Sequence, residues 1–430
     1  MPISPLGRRI LALAIPALGA LIAEPLFLLA DTAIIGNLGT AELAGAAAGT
    51  SVVQTAVGVM VFLAYATTPV VARLYGSGHV RHAFEVGRDG LFVAGIIGVT
   101  LAAALWCGAG FLAGLLGATG TPHGFAVDYI QWSAPGIPAM LLILAATGVL
   151  RGFQDTRTPL VIAAAAAALN VALNVILVYG AGLSVAGAAM GTSIAQWVAL
   201  GAYLAIILPR MRREGISLRP SSSGMRSTTR VGSWLFLRTI ALRASLLVTV
   251  WVAARDGEAT LAAHQIVFTV FSFLAFALDA LAIAAQALVG HARGAGEDTR
   301  PIIRVLIRWA LGYGVAIGAV LAAISPVIAL PFTGDPAVRA LVASAILILA
   351  AFQIVAGLVF VLDGIMIGQE DMAFLALTCT VTFAVYAPLI LWMSQLPGPG
   401  LGCIWGACGG GYRGPRAALQ SWRVAHRRLS

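Results

Sequence analysis

Long apolar runs, separated by short segments that carry arginine, recur from one end of this chain to the other. A helix needs about 20 predominantly apolar residues to cross the hydrocarbon of a bilayer, and each run reaches that length. A backbone in lipid must satisfy its own hydrogen bonds, and for runs of this length the α-helix does so. The chain is 60% hydrophobic and 10% charged. An average soluble domain is roughly 25% charged, so this chain cannot cover itself with polar surface. The fold class expected is an all-α polytopic membrane protein.

Twelve transmembrane helices are predicted, at residues 10–35, 43–71, 91–116, 129–150, 159–179, 185–208, 233–252, 263–289, 309–330, 341–367, 374–396 and 401–419. The arginines test that count, because cytoplasmic loops carry the excess of basic residues. All 26 basic residues are Arg. Only Arg255 and Arg339 fall on segments assigned to the outer side, and Arg238 and Arg243 lie within the seventh span. The others, Arg427 and Arg428 among them, lie on the inner side. One span more or fewer scrambles this division. The pattern predicts a multi-pass protein of the inner cell membrane with both termini cytoplasmic, and it reads the net charge of +9 as topology rather than as a nucleic-acid footprint. The first run is too long and too acidic for a cleaved signal and is expected to stay as the first span. The last is interrupted by three glycines at 409–411, Arg413, Pro415 and Arg416, which predicts a short, tilted or partly unwound helix.

The only linker of any length, 209–230, divides the chain into lobes at 1–208 and 231–419, with a tail at 420–430. The lobes repeat one another. A shift of 218 places Leu43-Ala44 on Leu261-Ala262, and a shift of 216 places Gly148, Gly152 and Asp155 on Gly364, Gly368 and Asp371. Two pseudo-symmetric six-helix lobes of this kind are parallel repeats, an arrangement that secondary transporters use with the substrate path between the halves.

Ionisable groups inside a span are costly and mark functional sites by default. Asp31 sits in the first helix with Glu24 seven residues earlier on nearly the same face, and Pro25 between them frees a backbone carbonyl where the helix can bend. A carboxyl there can trade its charge for a proton and so change which packing is favoured. The plainer alternative is that either acid only bridges helices. Asn170 and Asn174 share a face of the fifth helix, as do Thr192 and Gln196 of the sixth. Asn170 and Asn174 suit cation binding, a hydrogen bond to a protonated acid of the first helix, or interhelical bonding equally, whereas Thr192 and Gln196, candidates for the substrate path, suit interhelical bonding slightly better. In the second lobe, Asp279 with Gln286 two turns later offers a further substrate-path candidate. Arg243 and Asp279 are expected to form a buried structural pair. Asp363 is expected to reach water as a cap or gate, and His264 to be interfacial.

Other chemistries are poorly served. Four cysteines without CxxC spacing suggest neither disulfides nor a metal site. No GxxxxGK[ST] phosphate loop argues for an ATP-driven pump. Neither a nucleophile–base constellation nor an organic cofactor is expected, so the chain reads as a transporter rather than an enzyme.

Leu29-Ala-Asp-Thr-Ala-Ile-Ile-Gly36, Arg151-Gly-Phe-Gln-Asp-Thr-Arg-Thr-Pro159, the Asn170/Asn174 pair and Ala263-His-Gln-Ile266 together resemble the multidrug and toxic compound extrusion (MATE) family. Asp279 followed by Ala280-Leu-Ala-Ile-Ala-Ala-Gln286 is similar to its DinF branch. The resemblance implies a bilobed antiporter that admits H⁺ or Na⁺ while exporting small organic, often cationic, compounds by alternating access. It places the family's first-helix acid on Asp31 and its fifth-helix polar pair on Asn170 and Asn174. The seventh-helix acid of the NorM branch has no match, since Arg238 and Arg243 stand there, which favours H⁺ over Na⁺. A monomer surrounded by lipid, binding no nucleic acid, is the expected assembly. A lipid-linked oligosaccharide flippase of the same superfamily, or a membrane-embedded transferase, are the alternatives.

Overall fold

The apolar runs close into helices in the computed structural model, which describes residues 5–395 and 400–426. In chain order these are α1 (Pro5–Gly36), α2 (Thr40–Val59), α3 (Phe62–Gly76), α4 (Val80–Leu115), α5 (Thr121–Ser133), α6 (Ile137–Gly152), α7 (Arg157–Asn174) and α8 (Ser184–Arg213). The second half follows with α9 (Ser222–Arg255), α10 (Glu258–Gly294), α11 (Arg300–Ile324), α12 (Pro336–Gly368), α13 (Met372–Met393), α14 (Gly400–Gly406) and α15 (Gly414–His426). Among the described residues, 11 helical stretches are long and apolar enough to cross a membrane, with α2 and α3 acting as one stretch and α5 and α6 as another. Arg427 and Arg428, assigned above to the inner side, lie outside the described residues.

The twelfth segment departs from the others where its sequence does. Between α14 and α15 the chain makes wide π turns over Ala407–Arg413, the stretch that carries the three successive glycines. α15 then continues as a strongly amphipathic basic helix. Interruption of the last span therefore takes the form of a wider helix rather than a break.

Helix ends reach further than hydropathy suggests, because the apolar pattern marks the lipid-crossing part and polar turns can extend it. α4 starts at Val80 and α9 at Ser222, each eleven residues ahead of the apolar run. The linker read at 209–230 shrinks accordingly, since α8 runs on to Arg213. What remains is held down. Buried Arg88 pairs with its neighbour Asp89 at 2.7 Å and donates to Ser217 O at 2.8 Å, while Asp89 accepts from the Ser221 amide at 3.0 Å.

By internal packing the chain forms two compact units, one of Ile15–Gly232 and one from Ser233 onward that also takes the residues up to Ala14. Each unit repeats the same helix contacts. In the first, α6 packs on α3 and α4; in the second, α12 packs on α10 and α11. Glycines set the closest approaches. A Cβ on Gly148 would lie 2.6 Å from Ala64 O, and one on Gly364 would lie 2.5 Å from Ala282 O. Ala64 and Ala282 stand 218 apart and the glycines 216 apart, the two shifts seen in the sequence. The duplication is thus a duplication of packing.

Candidate functional site

α1 runs unbroken through Pro16 and Pro25 and delivers Asp31 to the interior of the first unit, where it is 3% exposed. Its carboxylate is met by donors. Asn174 Nδ2, at the end of α7, donates to Asp31 Oδ1, and Tyr129 Oη on α5 donates to Oδ2 at 3.4 Å. Asn174 Nδ2 gives its second proton to Asn170 Oδ1 at 3.0 Å, and Asn170 Nδ2 donates to Thr192 Oγ1 on α8 at 3.0 Å. Thr192 passes its own proton to Ala188 O at 3.0 Å. One polar chain therefore links α1, α5, α7 and α8.

Local backbone makes room for it. The helix widens into π turns at Val175–Gly180, directly after Asn174, a feature that often marks functional sites. Gly191 on α8 supplies the space opposite, because a Cβ there would lie 2.1 Å from Asn174 Oδ1. That oxygen is buried and accepts no hydrogen bond among the described residues.

Beside the network lies a cavity of about 290 Å³ within the same unit. Tyr129, Asn170 and Thr192 each contribute to its wall, so Asp31 sits one layer behind the lining. Glu24 and Gln196 line the cavity directly, with Glu24 exposed to it. Leu21 lines it too. Its carbonyl is the one that Pro25, four residues on, leaves without an N–H partner. The cavity wall is mostly apolar and its polar groups are few, which is the composition of a small-molecule site.

The remaining candidates lie elsewhere. Asp279 is half-buried in the second unit, and Gln286, 2% exposed, packs against Gly368 near the end of α10. The pairing expected between Arg243 and Asp279 is replaced: Arg243 is exposed, and Arg238 is the arginine that turns inward. Five residues of helix separate the two by roughly 140°, so only one of them can face the core. Arg238 and Arg416 of α15 both bind Asp363 Oδ2, and Gln420 Nε2 donates to Oδ1 at 2.7 Å. Asp363 is consequently buried at 6% exposed rather than open to water. His264 is likewise interior, 2% exposed, with its ring 5.6 Å from that of Trp405. Cys379 and Cys408 are buried, whereas Cys107 and Cys403 are exposed.

Repeat symmetry sharpens the contrast between the units. Thr249, the counterpart of Asp31, bonds Tyr386 Oη at 2.7 Å, and Tyr386 is the counterpart of Asn170. The same pair of helices is joined in both units. Only the first has a titratable carboxyl at the junction.

Hydropathy starts the fourth span at Tyr129 and so gives that residue no place inside a helix. The helix starts at Thr121 with Pro122 in its first turn, a favoured place for proline. Tyr129 is thereby two turns inside it. No signal in the sequence marks a tyrosine whose polar tip alone takes part.

The MatE family model matches residues 16–176 and 236–392, once in each repeat. "Protein DETOXIFICATION 44, chloroplastic" of Arabidopsis thaliana is 30% identical over 419 residues, which cover 94% of this chain and 79% of that protein. "Protein DETOXIFICATION 43" of the same plant is 28% identical over 459 residues, covering 91% and 86%. Among solved structures, the bent form of the Vibrio cholerae MATE transporter VcmN superposes with a TM-score of 0.88 at 22% identity, covering 99% of this chain and 97% of that one.

Proposed function

Because the chain belongs to the MatE family of membrane transporters, we propose that it is an H⁺-coupled antiporter that exports small organic solutes by alternating access, with Asp31 as the coupling carboxyl. The observation that carries the reading is the set of donors gathered on Asp31. Asn174 Nδ2 and Tyr129 Oη both give protons to it. That geometry suits a charged carboxylate. Protonation turns one of its oxygens into a donor: a proton on Oδ1 would face the amide N–H of Asn174, which cannot accept it, and a proton on Oδ2 needs the Tyr129 hydroxyl to turn from donor to acceptor. Buried polar groups left without partners are expensive, so the network has to rearrange. Because it ties α1 to α5, α7 and α8, rearrangement moves helices.

Both oxygens of the Asp31 carboxyl are engaged by hydrogen-bond donors, which favours H⁺ over Na⁺ as the coupling ion, since a hard cation is held by oxygens left free to ligate it. Asn170 and Asn174 hold the carboxylate; Glu24, Thr192 and Gln196 form the wall against which an organic, often cationic, solute lies. A cavity of about 290 Å³ fits a small molecule better than a lipid-linked oligosaccharide. The arginine distribution supports cytoplasmic termini, and a lipid-embedded monomer is sufficient for the mechanism.

Ethidium efflux from cells expressing the chain, compared with cells expressing Asp31→Asn, tests the reading. Export that requires Asp31 supports it; movement of a lipid-linked sugar without ethidium export would replace it with the flippase.

A further inference from the structure

The first unit joins α1 to the segment after α7 at a second point, just beyond Asp31. Tyr179 Oη donates to Ile34 O at 2.6 Å. Ile34 lies in the last turn of α1, where carbonyls lack a partner within the helix. Its neighbours are served locally: Asn37 Nδ2 donates to Ala33 O at 2.9 Å, and the Leu38 amide turns to Ile35 O at 2.9 Å. Ile34 O is served by Tyr179, 145 positions along the chain.

The π turns bring Tyr179 there. Asn174 faces Asp31, and five residues of α-helix would carry the next contact roughly 140° away from it. Over Val175–Gly180 the bonds instead run back five residues, as from the Ala181 amide to Ile176 O at 2.8 Å. Each turn then takes up about one residue more. Tyr179 therefore stands roughly where a fourth residue would in an α-helix, on the side that Asn174 faces. α8 is shaped to the widened segment. A Cβ on Gly187 would lie 2.9 Å from the Leu177 carbonyl carbon, just as one on Gly191, a turn later, would meet Asn174.

The two contacts respond differently to a proton. Asn174 serves the Asp31 carboxyl, whereas the acceptor of Tyr179 is a backbone carbonyl. We propose that Tyr179 is a positioning residue for the export cycle: it pins the outer end of α1 in both charge states of Asp31, so that the rearrangement begun there is taken up by the part of α1 that lines the cavity. That part runs from Ala20 to Leu28 and contains Pro25. Tyr179 is not among the residues that line the cavity, so it acts through α1 rather than on the solute. The inference rests on Asp31 being the coupling carboxyl.

Tyr179→Phe removes the hydroxyl and keeps a ring that is 48% exposed, so it is expected to melt as wild type does. Amide hydrogen exchange over residues 32–38, followed by mass spectrometry on the full chain in nanodiscs, needs no exported solute and is expected to quicken severalfold in the variant. In proteoliposomes, ethidium export driven by a pH gradient is expected to show a maximum rate lowered severalfold at an unchanged half-saturating concentration. Unchanged exchange over 32–38 overturns the inference, because the end of α1 is then held without the hydroxyl. A wild-type maximum rate overturns it as well, and so does a joint loss of rate, affinity and melting temperature, which makes Tyr179 structural only. Asp31→Asn in the same assay separates the two readings. If it exports as wild type does, the coupling assigned to Asp31 fails and the positioning role with it; if it is inactive while Tyr179→Phe is normal, only the role of Tyr179 fails.

Discussion

Asn174 on α7 donates from its side-chain amide to Asp31 on α1, and Asn170, one turn earlier, takes the second proton of the same amide. Truncating Asn174 to Ala takes away both bonds and leaves the carboxyl with Tyr129 alone. Interhelical hydrogen bonds in bilayers average about 0.6 kcal/mol, so Asn174→Ala is expected to fold with little loss of stability. Efflux is expected to fall severalfold or more. Melting temperature and ethidium export measured on one preparation check the split; equal losses in both would make Asn174 structural only.

Tyr129→Phe removes the hydroxyl that donates to Asp31 Oδ2 over a long 3.4 Å. A smaller loss of export than in Asn174→Ala is expected, because weak hydrogen bonds contribute less. Export assayed side by side in the two variants gives the order.

Asp363 is shared by Arg238 and Arg416 deep in the second unit. Removing one partner of a buried ion pair costs about 3–5 kcal/mol. Asp363→Ala is therefore expected to lower the melting temperature sharply or to abolish accumulation in the membrane. Arg243, exposed on α9, predicts the contrast: Arg243→Gln should stay within about 0.5 kcal/mol of wild type. A severe Arg243 variant beside a mild Asp363 variant would reverse the assignment.

Gly364 approaches Ala282 so closely that a Cβ would lie 2.5 Å from its carbonyl oxygen, and Gly148 repeats the contact at 2.6 Å from Ala64 O. Backbone atoms cannot step aside as side chains do. Each of Gly148→Val and Gly364→Val is expected to destabilise by about 1–3 kcal/mol or more, read as a fall in melting temperature. Gly110, whose added Cβ would meet nothing, should tolerate the same change.

Much of the first unit's site is legible in one dimension. An acid inside an apolar run, and amides four apart on one helix face, are local signals, and they lead to Asp31, Asn170, Asn174 and Thr192. The repeat is legible because glycines that set close approaches recur at a fixed spacing. What cannot be read depends on helix rotation and on partners far along the chain. Whether Arg238 or Arg243 faces inward turns on how α9 rolls, and the partner of Arg238, Asp363, and the Arg416 that shares it lie 125 and 178 residues away from Arg238. Asp363 looks water-accessible by its distance from a helix end, yet α15 folds Arg416 and Gln420 over it. The clamp of Arg88 and Asp89 on 217–221 is hidden for the same reason.

In the proposed mechanism Asp31 exchanges its charge for a proton to drive export. Purified chain in proteoliposomes, with a pH gradient and a Na⁺ gradient imposed separately, measures it directly. Substrate movement driven by the pH gradient in wild type, unaffected by Na⁺ and absent in a well-folded Asp31→Asn, is the result predicted. Undiminished pH-driven movement in Asp31→Asn would remove Asp31 from the coupling.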